Sequence, residues 1–349
     1  MILGACAYDA RFEDCAVHCT AECPVGLTCE AEGFCRTPGA TETCAAVLET
    51  FPSCVGLADN CGPTGGDDCC SAEPVPGGTF FRSYDVAGDG MYPSMSYPAT
   101  VSAFRLDKYE ATVGRFRKFV EAGGGTRVNP PAAGAGAHDK IAGSGWDASW
   151  DEMLAVDAMA LIAVVKCDAT YQTWTDTAGS NEALPINCVT WYEALAFCIW
   201  DGGYLPTEGE WNFAAAGGSE QRAYPWSSPA ASLAVDCSYA NFHNGTVYCV
   251  NPPNGAVNRV GNESPRGIGK WGQADLSGNV WEWTLDWYAS PYDNPCIDCA
   301  DLKPATARVV RGGFYGLDAS TLRGAFRNGA AVPSRRGADV GMRCARSAP

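Results

Sequence analysis

The chain has 349 residues, which is enough for one large domain and a small additional module. Its 40 acidic and 24 basic residues give a net charge of -16 at pH 7, which argues against a nucleic-acid partner. The 40 glycines and 22 prolines favour a loop-rich fold, and no run of about 20 apolar residues predicts a membrane-spanning helix.

Nineteen cysteines indicate an oxidising compartment, because a reduced cytosolic protein with so many would be exceptional. Eleven of them come in the first 70 residues and eight in the rest. The segment Leu3-Gly4-Ala5-Cys6 resembles a bacterial lipobox, and setting Cys6 aside leaves an even number of cysteines in both parts. We therefore expect an exported protein of the bacterial cell envelope or the extracellular space, lipid-anchored through Cys6. The alternative is a chance tetrapeptide at the start of a trimmed chain.

Residues 1–73 are predicted to form a small module held together by disulfides. Its cysteines fall into two groups: Cys15, Cys19, Cys23, Cys29 and Cys35, and then Cys44, Cys54, Cys61, Cys69 and Cys70. Zinc binding is the alternative, because Cys-x3-Cys spacings occur in zinc sites, but His18 is the only histidine nearby. Modules of this kind act as spacers or docking surfaces.

Residues 74–349 are predicted to form the main domain. Segments 79–81 and 104–106 predict strands, and Thr112 predicts the N-cap of a helix. The apolar face of that helix consists of Val113, Phe116 and Val120. Residues 124–145, rich in glycine, alanine and proline, predict a long surface loop.

His138 lies in this loop, and we expect it to be exposed rather than catalytic. Residues 150–166 predict a buried helix without an acid/base pair. Two further helices are predicted by capping boxes, in which a threonine is followed three residues later by a glutamate. These boxes are Thr190 with Glu193 and Thr207 with Glu210.

The segment Trp281-Glu282-Trp283 predicts a strand in which both indoles share one face and Glu282 points to the other. A carboxylate between two large apolar rings needs an arginine or a metal as partner. Residues 275–279 predict a turn that aims the Asp275 carboxylate and nearby carbonyl groups at one point. Two carboxylates with backbone oxygens form a calcium-type ligand set. Alternatively, Asp275 only supports the turn and Glu282 pairs with an arginine further along the chain.

Seven motifs, taken in order, resemble the formylglycine-generating enzyme, or sulfatase-modifying factor, family. They are residues 75–80, 104–112, 184–191, 205–211, 272–283, 308–315 and 341–344. The resemblance implies an α+β fold, a C-type-lectin-like domain with little regular secondary structure, long loops and bound calcium. It covers most of the chain that follows the small disulfide-rich module.

The resemblance also implies where one or two calcium ions would bind. The first ion would take the side chains of Asp275 and Glu282 and the carbonyl oxygens of Gly278 and Val280. The second would take the Asn241 side chain and the Phe242 carbonyl oxygen, although its other ligands do not align.

Catalytic members of the family bind copper(I) through two cysteines that follow a Gly-Gly-Ser-Tyr segment. When the Gly-Gly-Ser-Tyr segment is aligned with residues 312–315, the two cysteine positions fall on Leu317 and Leu322. In the same alignment Phe314 replaces the serine. Leucine neither binds copper nor carries redox chemistry. We therefore expect neither copper nor formylglycine-generating activity.

By resemblance, Cys198 bridges Cys344, whereas a second family bridge is missing because its positions are Ala215 and Asn328. The remaining six cysteines of the main domain are expected to pair locally. These pairs are Cys167 with Cys188, Cys237 with Cys249, and Cys296 with Cys299. The Cys-x-x-Cys spacing of the last pair also occurs in redox motifs, but the strand-to-helix context of those motifs is missing.

Residues 308–346 contain eight arginines and two aspartates in an otherwise acidic protein. These arginines form an anion site in the family's substrate cleft, or they bond to carbonyl groups and acids of a loop-rich core. We expect a non-catalytic protein that binds a glycan, a peptide or a partner protein of the envelope on one cleft. That cleft is predicted to consist of Tyr315, Asp318, Ser320, Arg323 and Arg327.

The alternative function is a metal-dependent oxidase or another protein-modifying enzyme of the same family. Iron-dependent relatives place histidines together in an added helical domain. The histidines here, His18, His138 and His243, are too scattered in the sequence to form such a site.

Overall fold

The structure, a computed structural model, describes residues 28–29, 35–38 and 51–348. The chain divides into two compact units after residue 50. Cys6, the predicted lipidation site, lies outside the described residues, so lipidation stays a prediction.

The second unit includes residues 51–73, which the sequence assigns to the small module. The Arg346 guanidinium lies 3.7 Å from the centroid of the Phe51 ring. Arg115 Nε donates a hydrogen bond of 2.9 Å to Ser53 Oγ. These contacts make residues 51–73 part of the main domain, so its boundary precedes the predicted one.

Twelve short strands are described, and each belongs to a small sheet. In the first unit, β1 (Thr28–Cys29) pairs with β2 (Cys35–Arg36) in antiparallel fashion. The second unit contains β3 (Ala72–Val75), β4 (Gly78–Phe81), β5 (Pro98–Val101), β6 (Phe104–Asp107), β7 (Trp281–Trp287), β8 (Cys296–Ile297), β9 (Arg308–Arg311), β10 (Asn328–Ala331), β11 (Val340–Gly341) and β12 (Ala345–Ser347). The predicted strands at 79–81 and 104–106 are thus confirmed.

Three sheets build the second unit, with strand orders β10-β9-β7-β11, β12-β6-β3 and β4-β5-β8. The first sheet is centred on β7, which pairs antiparallel with β9 and parallel with β11. Glu282 on β7 lies opposite Arg311 on β9 and Gly341 on β11. This sheet therefore carries the Trp281-Glu282-Trp283 segment through the middle of the domain.

Four α-helices are described in the second unit. They are α1 (Val113–Glu121), α2 (Ala158–Val164), α3 (Trp191–Trp200) and α4 (Glu208–Ala215). Short 3-10 turns occur at Pro52–Cys54, Ala148–Met153, Ser180–Ala183, Gly218–Glu220 and Ala319–Leu322. Short strands, short helices and long connections agree with the predicted α+β class and its small share of regular secondary structure. No helix among the described residues has the length and apolar character needed to cross a membrane.

The predicted helix starts are confirmed. Thr112 caps α1 through its side chain, which accepts a hydrogen bond from Arg115 N. Both predicted capping boxes form at α3 and α4, because each N-cap threonine accepts from the N3 backbone and each N3 glutamate accepts from the N-cap backbone.

The predicted buried helix over residues 150–166 is only partly correct. The segment contains a 3-10 turn and then the shorter helix α2, which begins after Asp157 because that side chain accepts a hydrogen bond from Ala160 N. Leu154, Leu161 and Val165 are buried. Met159, by contrast, is 81 % exposed, so only one side of the segment faces the core.

The largest apolar core lies between α1, α3 and β7. Phe116 and Phe119 of α1 pack on Phe197 of α3, with ring centroids 5.8 and 5.6 Å apart. Trp191 and Trp283 are fully buried, and their indole N–H groups donate to the carbonyl oxygens of Thr284 and Val189. Large aromatic side chains dominate the burial of apolar area here, which is the main stabilising contribution to the fold.

Every cysteine between residues 51 and 348 is in a disulfide. The four predicted pairs are confirmed: Cys198–Cys344, Cys167–Cys188, Cys237–Cys249 and Cys296–Cys299. Two more, Cys54–Cys70 and Cys61–Cys69, close the beginning of the second unit. So many disulfides are typical of exported proteins.

Candidate functional site

The Glu282 carboxylate on β7 is bound by an arginine. Arg343 Nε and Nη2 donate to its two oxygens at 2.7 and 2.6 Å, and both side chains are fully buried. Trp211 Nε1 donates to the same carboxylate at 2.7 Å. Of the two partners predicted for Glu282, the structure shows the arginine, while a calcium role for Glu282 stays a prediction.

Asp275 begins the turn that leads into β7, with a φ of 56°. Its carboxylate is buried and accepts a hydrogen bond of 2.5 Å from the backbone N–H of Gly261. Burial, and then the nearby charge of Glu263, raise the pKa of Asp275 to about 7.

Glu110 lies on the other side of this turn and was missed by the sequence reasoning. Its oxygens accept hydrogen bonds from Asn279 Nδ2 at 2.6 Å and from the backbone N–H of Val280 at 3.2 Å. Burial, then the charges of Asp275 and Glu282, raise the pKa of Glu110 well above its usual value. The only available signal was its place in the 104–112 motif.

Glu263 is a third acid at the same turn, and it too was missed. It is 7 % exposed, and its Oε1 accepts a hydrogen bond of 2.9 Å from Asn258 Nδ2. Its Oε2 is buried without a hydrogen-bond partner, and burial raises its pKa. Among the described residues, no lysine or arginine forms a salt bridge with Glu110, Asp275 or Glu263.

Asn241, predicted for the second calcium ion, contacts the turn that carries predicted ligands of the first. The backbone N–H of Asn279 donates to the Asn241 carbonyl at 2.9 Å, and Asn241 Nδ2 donates to Asn279 Oδ1 at 3.2 Å. A Cβ on Gly278 would stand 2.4 Å from the Asn241 carbonyl oxygen, so only glycine permits this approach. The Phe242 carbonyl accepts a hydrogen bond from the N–H of Cys249.

The chemistry of this acidic turn, defined as Glu110, Glu263, Asp275 and the loop of Asn241, fits a hard cation. Buried carboxylates without a cationic partner and nearby amide and carbonyl oxygens are the groups that calcium binds. Within residues 51–348, no three acidic, histidine or cysteine side chains already converge on one point. The carbonyl oxygens of Gly278 and Val280, which the resemblance implies as ligands, stay a prediction.

The two positions expected by resemblance to correspond to the family's cysteines, Leu317 and Leu322, are filled by apolar packing. Leu322 is fully buried in a cluster with Tyr224 and Phe242, and its Cδ2 would stand 2.8 Å from a Cβ on Gly313. Leu317 packs at the edge of the main core. Leu322 is thus a core side chain, and Leu317 is partly buried against the core.

Several aromatic side chains lie near the backbone of Leu317. The Tyr315 ring lies 6.2 Å from Tyr171 and 5.2 Å from Phe314. The backbone N–H of His243 donates to the Leu317 carbonyl, and the His243 ring lies 4.7 Å from Tyr248. We call Tyr171, His243, Tyr248, Phe314 and Tyr315 the aromatic face. Burial, followed by the neighbouring Tyr171, raises the pKa of Tyr315 to about 12, so its hydroxyl stays neutral.

The two arginines of the predicted cleft bond to the protein's own acids. Arg323 is 2 % exposed and binds Asp85 and Asp89 at 2.6 and 2.8 Å. Asp318 caps the 3-10 turn Ala319–Leu322, and its Oδ1 accepts from the backbone N–H of Ser320.

Arg327 pairs with Glu208. Of the five predicted cleft residues, Tyr315 alone belongs to the aromatic face. The partners of the two arginines, Asp85, Asp89 and Glu208, come from distant segments that no local pattern could connect with them.

The arginines between residues 308 and 346 bond to the protein's own acids and carbonyl groups. Seven pair with carboxylates: Arg311, Arg323, Arg327, Arg335, Arg336, Arg343 and Arg346. Arg308 instead lies between the rings of Trp191 and Trp287, at 3.6 and 3.8 Å from their centroids, and donates to the Leu285 carbonyl. Of the two roles predicted for these arginines, the structure shows the second, in which they bond to acids and carbonyl groups of the domain itself.

The prediction that His138 is exposed is wrong. His138 is 7 % exposed because the chain turns back at Ser144, whose Oγ accepts a hydrogen bond from His138 N. Its Nε2 lies 3.3 Å from Glu210 Oε1, which also accepts from the Tyr204 hydroxyl at 3.0 Å. Burial alone would lower the pKa of His138, but the hydrogen bond and charge of Glu210 raise it.

Comparisons with known proteins identify the family and the fold of this chain. A family model described as "Sulfatase-modifying factor enzyme 1-like domain" matches residues 71–348. The formylglycine-generating enzyme of Streptomyces coelicolor is 28 % identical over 292 residues, covering 78 % of this chain and 88 % of the relative. A mouse protein named "Inactive C-alpha-formylglycine-generating enzyme 2" is also 28 % identical, over 299 residues, covering 78 % of this chain and 85 % of the relative.

Among solved structures, PvdO from Pseudomonas aeruginosa has a similar fold, with a TM-score of 0.53 and 18 % sequence identity. The alignment covers 80 % of this chain and 95 % of that structure. At this identity the likeness shows the fold alone.

Proposed function

Because the chain belongs to the sulfatase-modifying factor enzyme 1-like family, we propose that it is an exported, non-catalytic member that binds a ligand on a calcium-stabilised frame. The ligand is a glycan, a peptide or a partner protein of the cell envelope, and the contact surface is the aromatic face. A lipid anchor at Cys6 would hold the protein at the membrane.

The observation that carries the non-catalytic proposal is the identity of two side chains. By resemblance, Leu317 and Leu322 take the positions of the family's catalytic cysteines, and both pack against core residues. Every cysteine from residue 51 to 348 is already in a disulfide, so no thiol in this range is free to bind copper. A mouse relative is itself named inactive, which agrees with the proposal.

Support for ligand binding comes from the chemistry of the aromatic face. Tyr171, Tyr248 and His243 are half-buried, so their rings are held in place while part of each stays accessible. Rigid tyrosines offer a large contact area with a polar hydroxyl at its edge, which suits sugars and peptides. The arginines first assigned to this role are committed to internal acids.

Support for calcium comes from the acidic turn. Glu110, Asp275 and Glu263 are buried acids that form no salt bridge with a described lysine or arginine, and burying such charges is costly. A divalent cation would remove this cost by binding carboxylate and carbonyl oxygens together. Glu282 would bind the ion only while its carboxylate also stayed bonded to Arg343.

The catalytic part is tested by incubating the purified protein with a Cys-x-Pro-x-Arg peptide, copper(I) and oxygen, and measuring formylglycine by mass spectrometry. We expect none, while the Streptomyces coelicolor enzyme serves as the positive control. Elemental mass spectrometry of protein purified from its native envelope should find one or two equivalents of calcium and negligible copper and iron. Formylglycine, or stoichiometric copper or iron, would establish the enzyme alternative instead.

The binding part is tested by quantitative cross-linking in the native envelope, comparing three variants with the wild type. Tyr171→Ala and Tyr315→Ala should each lose the cross-links that the wild type forms at this face. Tyr239→Ala is the matched control, because the Tyr239 ring stacks on Trp226 and Arg266, which are not part of the aromatic face. Equal cross-linking in all three variants would show that the aromatic face is the wrong surface.

A further inference from the structure

A second candidate binding site is a cavity of about 580 Å³ beyond the end of β7. Neither Leu317 nor any residue of the aromatic face lines it, so it is distinct from the surface proposed above. Its walls are largely apolar: Ile141, Ala142, Trp287, Pro295, Leu302 and Pro304. This volume lies in the range of small-molecule sites in proteins.

Most charges near this cavity are already paired. Glu208 accepts hydrogen bonds from Arg311, Arg327 and Tyr292 at 2.6, 2.7 and 2.7 Å. At the rim, Lys303 pairs with Asp293 at 2.6 Å. These groups need no further partner.

Asp286 is a buried carboxylate of the cavity lining without a cationic partner. It is 5 % exposed, and its oxygens accept only backbone hydrogen bonds, from Glu208 N at 2.6 Å and Asp301 N at 2.8 Å. Burial, and then the charge of Glu208, raise the pKa of Asp286 to about 7. An ammonium group beside it would stabilise its ionised form.

Arg82 is a buried cation of the same lining without a carboxylate partner. It is 5 % exposed and stacks 4.4 Å from the Tyr292 ring centroid. It donates to the Asp293 carbonyl at 2.7 Å, to Asn294 Oδ1 at 3.0 Å and to the Cys299 sulfur at 3.7 Å. Among the described residues it forms no salt bridge, and its burial lowers its pKa.

The lining of one cavity thus contains a carboxylate and a guanidinium that form no salt bridge with any described residue, beside apolar walls. Charges buried in a low-dielectric environment are costly unless paired, and charge-assisted hydrogen bonds are the strong ones. A ligand with only one charge would neutralise one group and leave the other. We propose that this cavity binds a small zwitterion of the amino-acid class, with its ammonium at Asp286, its carboxylate toward Arg82 and its side chain on the apolar walls.

Isothermal titration calorimetry at pH 8 with three matched probes tests this proposal. L-Tryptophan carries both charges, tryptamine lacks the carboxylate, and indole-3-propionate lacks the ammonium. We expect L-tryptophan to bind about tenfold more tightly than either analogue, the ratio that one lost charge-assisted contact gives. Binding of tryptamine as tightly as tryptophan, or no binding of any probe, would overturn the proposal.

Variants separate the site from the fold. Asp286→Asn should weaken L-tryptophan binding about tenfold. The matched control is Asp157→Asn. Like Asp286, Asp157 accepts a hydrogen bond from a backbone N–H in the first turn of a helix, but it lies outside the cavity lining. This variant should leave binding unchanged. Ala142→Trp, at an exposed position of the lining, should block binding while leaving both charges intact. Unchanged binding in Asp286→Asn or Ala142→Trp would contradict the proposal whatever the proposed function proves to be.

The pH dependence provides an independent readout. The charged groups that act on Asp286 are Glu208, Asp301, Arg82, Arg308 and Arg327. Because Asp286 ionises near pH 7, L-tryptophan binding should tighten about tenfold from pH 6 to pH 8. A constant or opposite dependence would show that the ammonium does not lie at Asp286.

Discussion

Two buried acidic regions of this domain differ in whether their charges are compensated. Asp107 and Asp201 are fully buried, but Arg115 donates to them at 2.8 and 2.5 Å, and Arg346 binds both as well. Burial alone would raise the pKa of Asp107, yet the two arginines lower it below its usual value.

At the acidic turn the balance is the opposite. Burial raises the pKa of Asp275 to about 7, and that of Glu110 well above its usual value, because no arginine pairs with either. The comparison teaches that burial of an acid does not by itself indicate a ligand site. A ligand site is indicated instead by a buried acid for which the protein itself provides no cationic partner.

The largest predicted effect comes from removing Arg115 from the compensated region, which consists of Asp107, Asp201, Arg115 and Arg346. Arg115→Met should lower the free energy of unfolding by about 3–5 kcal/mol, because it leaves two buried carboxylates with one arginine. Chemical denaturation of the wild type and the variant measures this difference. Arg115→Lys, which keeps the charge but not the planar fork, should lose less.

A loss under about 1 kcal/mol in Arg115→Met would contradict this account. It would mean that Arg346 alone compensates Asp107 and Asp201. The contrast with the acidic turn would then lose its basis.

The next effect concerns calcium at the acidic turn. At a calcium concentration 100 times its dissociation constant, the ion should stabilise the fold by about 2.7 kcal/mol, and a chelator should remove this gain. Glu110→Gln should lose the calcium response and, in the chelator, be more stable than the wild type, because it removes an uncompensated buried charge. Thermal unfolding with calcium and with a chelator measures both the lost calcium response and the higher stability in the chelator.

The matched control for calcium is Asp107→Asn, which alters the compensated region and should keep the full calcium response. If Glu110→Gln responds to calcium like the wild type, the ion does not bind at this turn. The proposal of a calcium-stabilised frame would then fail, whereas the non-catalytic proposal would stand.

A smaller effect is the pH dependence of the calcium-free protein. The pKa of Asp275 is raised to about 7 in the folded state, above the value of about 3.9 for an unfolded aspartate. A raised pKa means that the folded state holds its proton more tightly, so this contribution is full below about pH 4 and is lost as pH rises through 7. Asp286 acts in the same direction over the same range.

Stability in the chelator should therefore fall between pH 5 and pH 8, and calcium should remove the part due to Asp275. The lowered pKa of Asp107 acts in the opposite sense, but its effect lies at lower pH. Denaturation midpoints across this range, compared with those of Asp275→Asn, measure the effect. Stability that rises from pH 5 to pH 8 in the chelator would contradict the assignment.

Local patterns were sufficient to predict the helix caps. Thr190 with Glu193 and Thr207 with Glu210 are close in sequence, so both capping boxes could be read directly and are confirmed. Resemblance to a family added the fold and the bridge between Cys198 and Cys344, which spans 146 residues. Spacing alone does not determine such a pairing.

What the sequence did not reveal are charge partners that meet only after folding. Glu110 contacts Asn279, and Arg323 contacts Asp85, across 169 and 238 residues. No periodicity links such positions. The same reason explains the error at His138, which a chain turn brings against Glu210.

The smallest predicted effect concerns an exposed salt bridge and tests whether pairing of charges matters only where water is excluded. Arg335 and Asp339 form a salt bridge of 2.7 Å four residues apart, with side chains 36 and 20 % exposed. Arg335→Gln should change the free energy of unfolding by less than about 1 kcal/mol, because water solvates either charge left alone. Denaturation at low and at high salt measures this change, which should shrink further at high salt. A loss close to that expected for Arg115→Met would mean that pairing itself, rather than burial of an unpaired charge, sets the cost, and the inference of missing partners at Asp275 and Asp286 would lose its support.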